Sequence, residues 1–197
     1  MSKPFAESCE INKEPILAVL RELFADRRHV LEIGSGTGQH AVHFGAGLPH
    51  LRWQTSDRAE NHAGIRAWLD EAGLPNVAPP IELDVVDSVW PAAGFDAAYS
   101  ANTVHIMAWP MVEAMFAGLA RVLAPGAVFA LYGPFHYGGK ATSESNARFD
   151  LWLKERDPQS GVRDYDDLNR LAGAVGMVLV DDIEMPINNR TLVWRCS

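Results

Sequence analysis

The 197-residue sequence predicts an α/β fold: a doubly wound, seven-stranded, mostly parallel sheet, helices on both faces, closed by an antiparallel C-terminal hairpin. Three observations carry this. Strand-like and helix-like hydrophobic periods alternate along the chain. The stretch HVLEIGSGTGQH, residues 29–40, sets a glycine-rich turn directly behind a strand-like run. Near the C-terminus two strand-like runs, 177–183 and 191–196, are separated only by a short segment with Pro186, Asn188 and Asn189. A parallel crossover needs a dozen residues or more, so that last pair is antiparallel.

The elements follow in order. Asn12 is a good N-cap for the first helix, with Pro15 in its first turn, where a missing N–H does little harm. Ile16, Leu17, Leu20, Leu23 and Phe24 then share one helical face, so residues 1–28 form an N-terminal helical segment. Residues 29–33 make the first strand. After the glycine turn, Ala41, Phe44 and Leu48 mark the second helix. Residues 51–56 form the second strand, ending at Asp57, and a helix from about Asn61 runs to Gly73. A short third strand, 81–83, ends at Asp84; residues 95–101 form the fourth, apolar and small enough for burial between layers. A helix over 110–123 stops at Pro125-Gly126, and residues 127–132 form the fifth strand. One domain is expected over 1–197.

Composition narrows the function. The formal net charge is −8, without a basic run, which makes nucleic acid an unlikely partner and a small-molecule substrate the economical expectation. No apolar run reaches the ~20 residues of a membrane span, so no membrane partner is expected. The two cysteines, Cys9 and Cys196, stand at opposite ends in no metal-ligand spacing and read as reduced thiols, an expectation of cytoplasmic location. Metal is not called for. Oligomeric state is not legible.

In an open parallel sheet, ligands bind beyond the carboxyl ends of the strands. Here the first three strands end in Gly34, Asp57 and Asp84. A glycine turn lets backbone approach a ligand without a Cβ in the way. An acid after the second strand can accept both hydroxyls of a ribose, and one after the third an exocyclic amine. Together they point to an adenosine-bearing cofactor. The order Gly34-Ser35-Gly36-Thr37-Gly38-Gln39 puts the last glycine one residue early for a dinucleotide fingerprint, and no G-K-[ST] follows for a P-loop. Glu32, two residues ahead, would repel a pyrophosphate but suits the ammonium or sulfonium of S-adenosylmethionine (SAM).

The acid-x-G-x-G-x-G run resembles the first motif of class I SAM-dependent methyltransferases, whose seven-stranded Rossmann-like sheet inserts its last strand antiparallel. The segments INKEPIL, LEIGSGTGQHAVHF, YSANTVHIM, LYGPFHYGGKATSESNARFDLWLKERDP and MPINNRTLVWRC resemble the methyltransferase-like protein 26 family over nearly the whole chain. Ile11 stands where that family carries an arginine; if that arginine touches the ligand, this chain binds it differently. The resemblance implies a SAM-dependent methyltransferase with SAM held by Glu32, Gly34, Ser35, Gly36, Gly38, Asp57, Arg58, Asp84, Val85, Asn102 and Asn12. The acceptor is not specified: residues 102–105, NTVH, lack the [ND]-P-P-[FYW] motif of amino-group methyltransferases.

Methyl transfer needs an aligned acceptor, exclusion of water and, for a protonated acceptor, removal of a proton. His105 after the fourth strand, with His136 and Tyr137 after the fifth, are the catalytic candidates, since an imidazole titrates near neutrality. Each has a plainer reading as packing or solvated loop. Residues 133–165, a loop and helix after the fifth strand, would serve as a lid. Two rivals stay open: a non-catalytic SAM-binding module serving a protein partner, and an NAD-dependent oxidoreductase, which the glycine spacing disfavours.

Overall fold

The computed structural model describes residues 3–87 and 89–197. Its central sheet contains β1 (His29–Ile33), β2 (Arg52–Asp57), β3 (Val77–Glu82), β4 (Phe95–Ala101), β5 (Leu123–Gly133), β9 (Met177–Met185) and β10 (Asn189–Cys196). The spatial order is β3-β2-β1-β4-β5-β10-β9. The chain starts in the middle, winds outward through β2 and β3, then restarts at β4 on the other side of β1. β10 is antiparallel to both neighbours, so it alone runs against the other six strands.

Among the described residues there are six α-helices, α1 (Glu7–Leu23), α2 (Gln39–Gly47), α3 (His62–Ala72), α4 (Trp109–Val122), α5 (Glu144–Arg156) and α6 (Tyr165–Ala174), of which all but α5 pack on the faces of the sheet. Period-two alternation in the strands divides the core into two layers. Val30, Val128 and Ala130 face Ile16, Leu20 and Phe44 of α1 and α2. Leu31, Phe129 and Leu131 face Val112, Phe116 and Leu119 of α4 and Leu168 of α6. Fully buried Val, Leu and Phe side chains contribute roughly 1.5–3 kcal/mol each, so these layers hold the sheet rigid under its loops.

Several elements differ from expectation. α1 begins five residues before Asn12, with Ala6 as N-cap. Glu7 and Glu10 suit the positive end of the helix dipole, and Gln39 Oε1 accepts from the Ala6 N–H (2.6 Å). Asn12 is therefore buried inside the helix, and Pro15 lies mid-helix, leaving the Ile11 carbonyl without its i+4 donor. β3 is longer than expected because its prolines, Pro79 and Pro80, sit on the sheet's edge, where missing donors are tolerated. Pro125-Gly126 lies inside β5 as an irregularity in its pairing with β4; Gly126 has φ +76°. α4 ends at Val122 and β5 begins directly at Leu123, so Pro125-Gly126 does not stop the helix.

Three short strands, β6 (Phe135–Tyr137), β7 (Lys140–Ala141) and β8 (Arg163–Asp164), form a separate sheet that the sequence did not announce. β6 and β7 are joined by Gly138 and Gly139, both at positive φ, the conformation of a tight hairpin turn. α6 was also missed. Its start is marked by Asp164, whose side chain accepts from the Asp166 N–H (2.9 Å). Among the described residues no helix is long and apolar enough to cross a membrane.

Candidate active site

The glycine turn after β1 is locked by its neighbours. Gly34, Gly36 and Gly38 have φ of +73°, +57° and +92°, a region that L side chains rarely adopt. The Gly34 and Ser35 N–H groups both donate to the Ser56 carbonyl (3.1 and 3.0 Å), tying the turn to the end of β2. A Cβ on Gly34 would stand 2.6 Å from Thr103 Cγ2, so this glycine is required by the β4 loop packed against it. A Cβ on Gly36 would meet nothing within 4 Å: its open face looks outward.

Glu32 is 2% exposed and anchors the same turn. Its Oε2 accepts from the Ser35 hydroxyl (2.7 Å) and the Trp53 indole N–H (3.0 Å). Burial pushes its carboxyl up to about 7, against the pull of those two donors and with help from the nearby Asp57 charge. Asp57 ends β2 and organises the next turn. Its Oδ2 accepts from the Gly36 N–H (2.7 Å), and its Oδ1 from the Arg58 N–H (2.8 Å) and the Asn61 amide (2.7 Å). Asp84, two residues past β3, accepts from the Val86 N–H (3.2 Å). Glycine turn and acids thus line the carboxyl ends of β1, β2 and β3, on one side of the switch point. The group fits an adenosyl donor: open backbone at Gly36, a residual lone pair on Asp57 Oδ2, and the acidic side chains of Asp57 and Asp84 at the strand ends.

Not every expected ligand faces this site. Arg58 pairs with Glu60 (2.5 Å) and is over half exposed, because the 3₁₀ turn at Ala59–Asn61 turns its side chain outward. Val85 is 5% exposed and packs in the α4-side core.

On the other side of the switch point lies a cavity of about 780 Å³. Asn102 and His105 after β4, Tyr132 and Pro134 at the end of β5, Asn189 at the start of β10, and Asn12 of α1 reach it from below; α5 supplies a wall. Asn102 has φ +57°, and its N–H donates to the Tyr132 carbonyl (2.9 Å). A Cβ at Gly133 would stand 3.8 Å from Asn102 Oδ1 and 3.9 Å from His105 Nδ1, so the two polar side chains bracket one point beyond β5.

His105 is 6% exposed, and burial followed by the Arg163 charge pulls its pKa down to about 4; it is a neutral imidazole at pH 7. Arg163, which the sequence reading did not single out, clamps the loop carrying it. Its guanidinium donates to the carbonyls of Val104 (3.0 Å), Met107 and Gln159 (2.8 Å). The Gly161 N–H donates to the His105 carbonyl (2.9 Å). Asn12 Oδ1 meets His40 Nε2 (2.7 Å), joining the cavity floor to the helix that follows the glycine turn. Burial also lowers the His40 pKa to about 4.

His136 and Tyr137 do not join this group. His136 lines a second cavity of about 430 Å³ with Trp109, Arg163 and Arg170. The Tyr137 hydroxyl donates to Asp182 (2.8 Å) and its ring stacks on Tyr165 (5.0 Å), so both its ends are engaged in holding β6 to β9 and α6. The small sheet is what turns them away: β6 leaves β5 after Pro134 and pairs with β8 instead of crossing the strand ends. Residues 133–165 wall the large cavity through α5. That helix is pinned, with the Asn146 amide donating to the Asn188 carbonyl (2.9 Å) and Asp150 Oδ1 accepting from the Val162 N–H (2.8 Å).

The family described as "Protein of unknown function (DUF938)" matches residues 3–196. The chain belongs to the DUF938 family. Solved structures share the fold of this DUF938 chain. The mitomycin 7-O-methyltransferase MmcR superposes with a TM-score of 0.84 at 15% identity, over 96% of this chain and 54% of that one. Human N-acetylserotonin methyltransferase in complex with SAM gives 0.83 at 12%, over 97% and 53%. The SAM-dependent methyltransferase SibL in its apo form gives 0.82 at 20%, over 96% and 55%. The chain spans just over half the length of these structures. At such identities they show the fold, a Rossmann-like methyltransferase sheet.

Proposed function

We propose that residues 1–197 act as one SAM-dependent methyltransferase domain on a small-molecule acceptor, in the cytosol where the free thiols Cys9 and Cys196 stay reduced. One observation carries the reading. The glycine–carboxylate row over β1–β3 and the large cavity over β4, β5 and β10 meet at the switch point, where Gly34 abuts Thr103. A donor on one side would present its reactive end to an acceptor on the other. The narrower likeness to methyltransferase-like protein 26 agrees with this assignment and adds no acceptor.

When bound, the donor supplies a methyl group on a positively charged sulfur. The chain's own residues do the rest. Gly34, Ser35, Gly36 and Gly38 would present backbone without obstruction; Asp57 and Asp84 would accept from the ribose and adenine; Glu32 stiffens the turn through Ser35 and Trp53. Asn12 and Asn102 sit at the seam of the two halves. His105, neutral and lining the cavity, would accept a hydrogen bond from an acceptor hydroxyl and orient it, since a pKa of about 4 makes it a weak base. Phe149, on the wall beside His105, would help to keep water from the acceptor. His136, Tyr137, Arg58 and Val85 have no part in this scheme.

Calorimetric titration with S-adenosylhomocysteine (SAH) and NAD tests it. Micromolar SAH affinity, weakened by Asp57→Asn, with no response to NAD, is the expected result. Affinity for SAH without transfer of labelled methyl to any fraction of a metabolite extract would instead favour a non-catalytic binding module, and no affinity for SAH would end the proposal.

A further inference from the structure

The chemistry of the large cavity selects among acceptors, on the reading that it is the acceptor side of a methyltransferase. Of the eighteen residues lining it, only Arg156 and Asp157 carry a formal charge at pH 7. Both are engaged where α5 ends. The Arg156 guanidinium lies over the Trp152 ring at 4.6 Å, and Asp157 accepts from the Gln159 N–H (2.9 Å) and the Ser160 hydroxyl (3.5 Å). The polar groups at the floor, Asn12, Asn102, His105, Tyr132 and Asn189, are amides, a phenol and an imidazole.

Uncharged polar groups, Ser8, Ser145, Asn146 and Ser160, share the walls with flat apolar surface. Phe149 and Trp152 are nearly parallel, 5.7 Å apart at 19°, and Phe149 meets the edge of His105 at 5.2 Å and 81°. Four large hydrophobic side chains at the rim are exposed: Ile11 at 55%, Ile106 at 60%, Ile187 at 65% and Trp152 at 46%. They come from α1, the β4 loop, the β9–β10 turn and α5. That four separate elements each bring an unprotected apolar side chain to one mouth marks a binding surface rather than scattered exposure.

We infer that this cavity takes an uncharged, flat, largely apolar molecule, an aromatic or conjugated ring system whose one polar edge meets Asn102 and His105. A neutral ring removes apolar area from water by packing against the side chains of Phe149, Trp152, Ile106 and Ile187 at the cavity wall. An ammonium finds the Trp152 face already covered by Arg156, a like charge. A carboxylate entering the floor loses its hydration and meets no cation among Asn12, Asn102, His105, Tyr132 and Asn189. Arg156 does not rescue it, because that guanidinium sits in water beside Asp157.

Three probes of one shape decide the matter: 2-naphthol, 2-naphthoate and 2-(aminomethyl)naphthalene, titrated by calorimetry into the full chain at pH 7.5, with and without saturating SAH. We expect 2-naphthol to bind at least ~10-fold tighter than either charged probe, a difference of about 1.4 kcal/mol. Trp152→Ala and Ile106→Asp, both at exposed positions, should abolish that preference while the SAH isotherm and thermal midpoint stay as in the parent chain. A charged probe binding as tightly as 2-naphthol, no binding of 2-naphthol, or a preference indifferent to Trp152→Ala overturns the inference. Absence of SAH binding would count against the methyltransferase reading instead, and the titrations without SAH would still report on the cavity.

Discussion

The two halves of the strand-end surface are built on opposite terms. Over β1, β2 and β3 the surface is narrow, polar and made mostly of backbone, with positive-φ glycines and acids held by short hydrogen bonds. Over β4, β5 and β10 it is wide, apolar and made of side chains from five non-contiguous elements. The first half fits a ligand whose shape is fixed, since backbone cannot be retuned without rebuilding the turn. The second can change its preference by side-chain substitution alone. A constant donor and a selectable acceptor match that division of labour.

Titration sets the halves apart most strongly. His105 and His40, on and beneath the cavity side, are held near pKa 4 by burial, below the 6.5 of an unfolded imidazole. Their neutral burial therefore stabilises the fold above pH 6.5, and that contribution is lost as pH falls toward 4, about 3 kcal/mol for each. Glu32 has the opposite sign. Its carboxyl is raised to about 7 from 4.5, so its contribution is full below pH 4.5 and is lost as pH rises through 7. Denaturant unfolding from pH 4 to 8.5 should show His105→Gln flattening the acid limb and Glu32→Gln flattening the alkaline one. A single limb insensitive to both variants would break the contrast.

Gly34→Val comes next. The new side chain faces both a positive φ and Thr103, so SAH affinity should fall ~100-fold, an overpacking cost of roughly 1–3 kcal/mol, as read by calorimetry. Asp57→Asn keeps shape but lowers the charge facing Gly36, and a ~10-fold loss of SAH affinity is expected. Unchanged affinity in both variants would remove the donor half from consideration. Tyr137→Phe should cost about 1 kcal/mol of stability through its bond to Asp182 and leave SAH affinity intact. Smallest of all, Arg58→Ala should shift SAH affinity less than two-fold, because its partner is the exposed Glu60.

How much was legible follows the same line. β1 and β4 stand where the hydrophobic period puts them. The acids after β2 and β3 needed only the strand ends to be recognised. By contrast, Asn12 reads as a helix start by its own propensity, yet Gln39, distant in sequence, moves that start to Glu7. Val85 reads as a site residue beside Asp84, but the turn after β3 packs its side chain into the α4-side core. Arg163 and Asn189 carry no local signal, since what they do depends on carbonyls and side chains brought from elsewhere.

The amino-acid order alone determined the layered α/β architecture, the glycine turn and the carboxylates that follow it, because periodicity, backbone freedom and position at a strand's end are properties of neighbouring residues. Tertiary structure decided which histidine faces the cavity, what charge it carries and how apolar the walls are. Burial and direction belong to segments that meet only when the sheet closes, and no stretch of chain encodes them by itself.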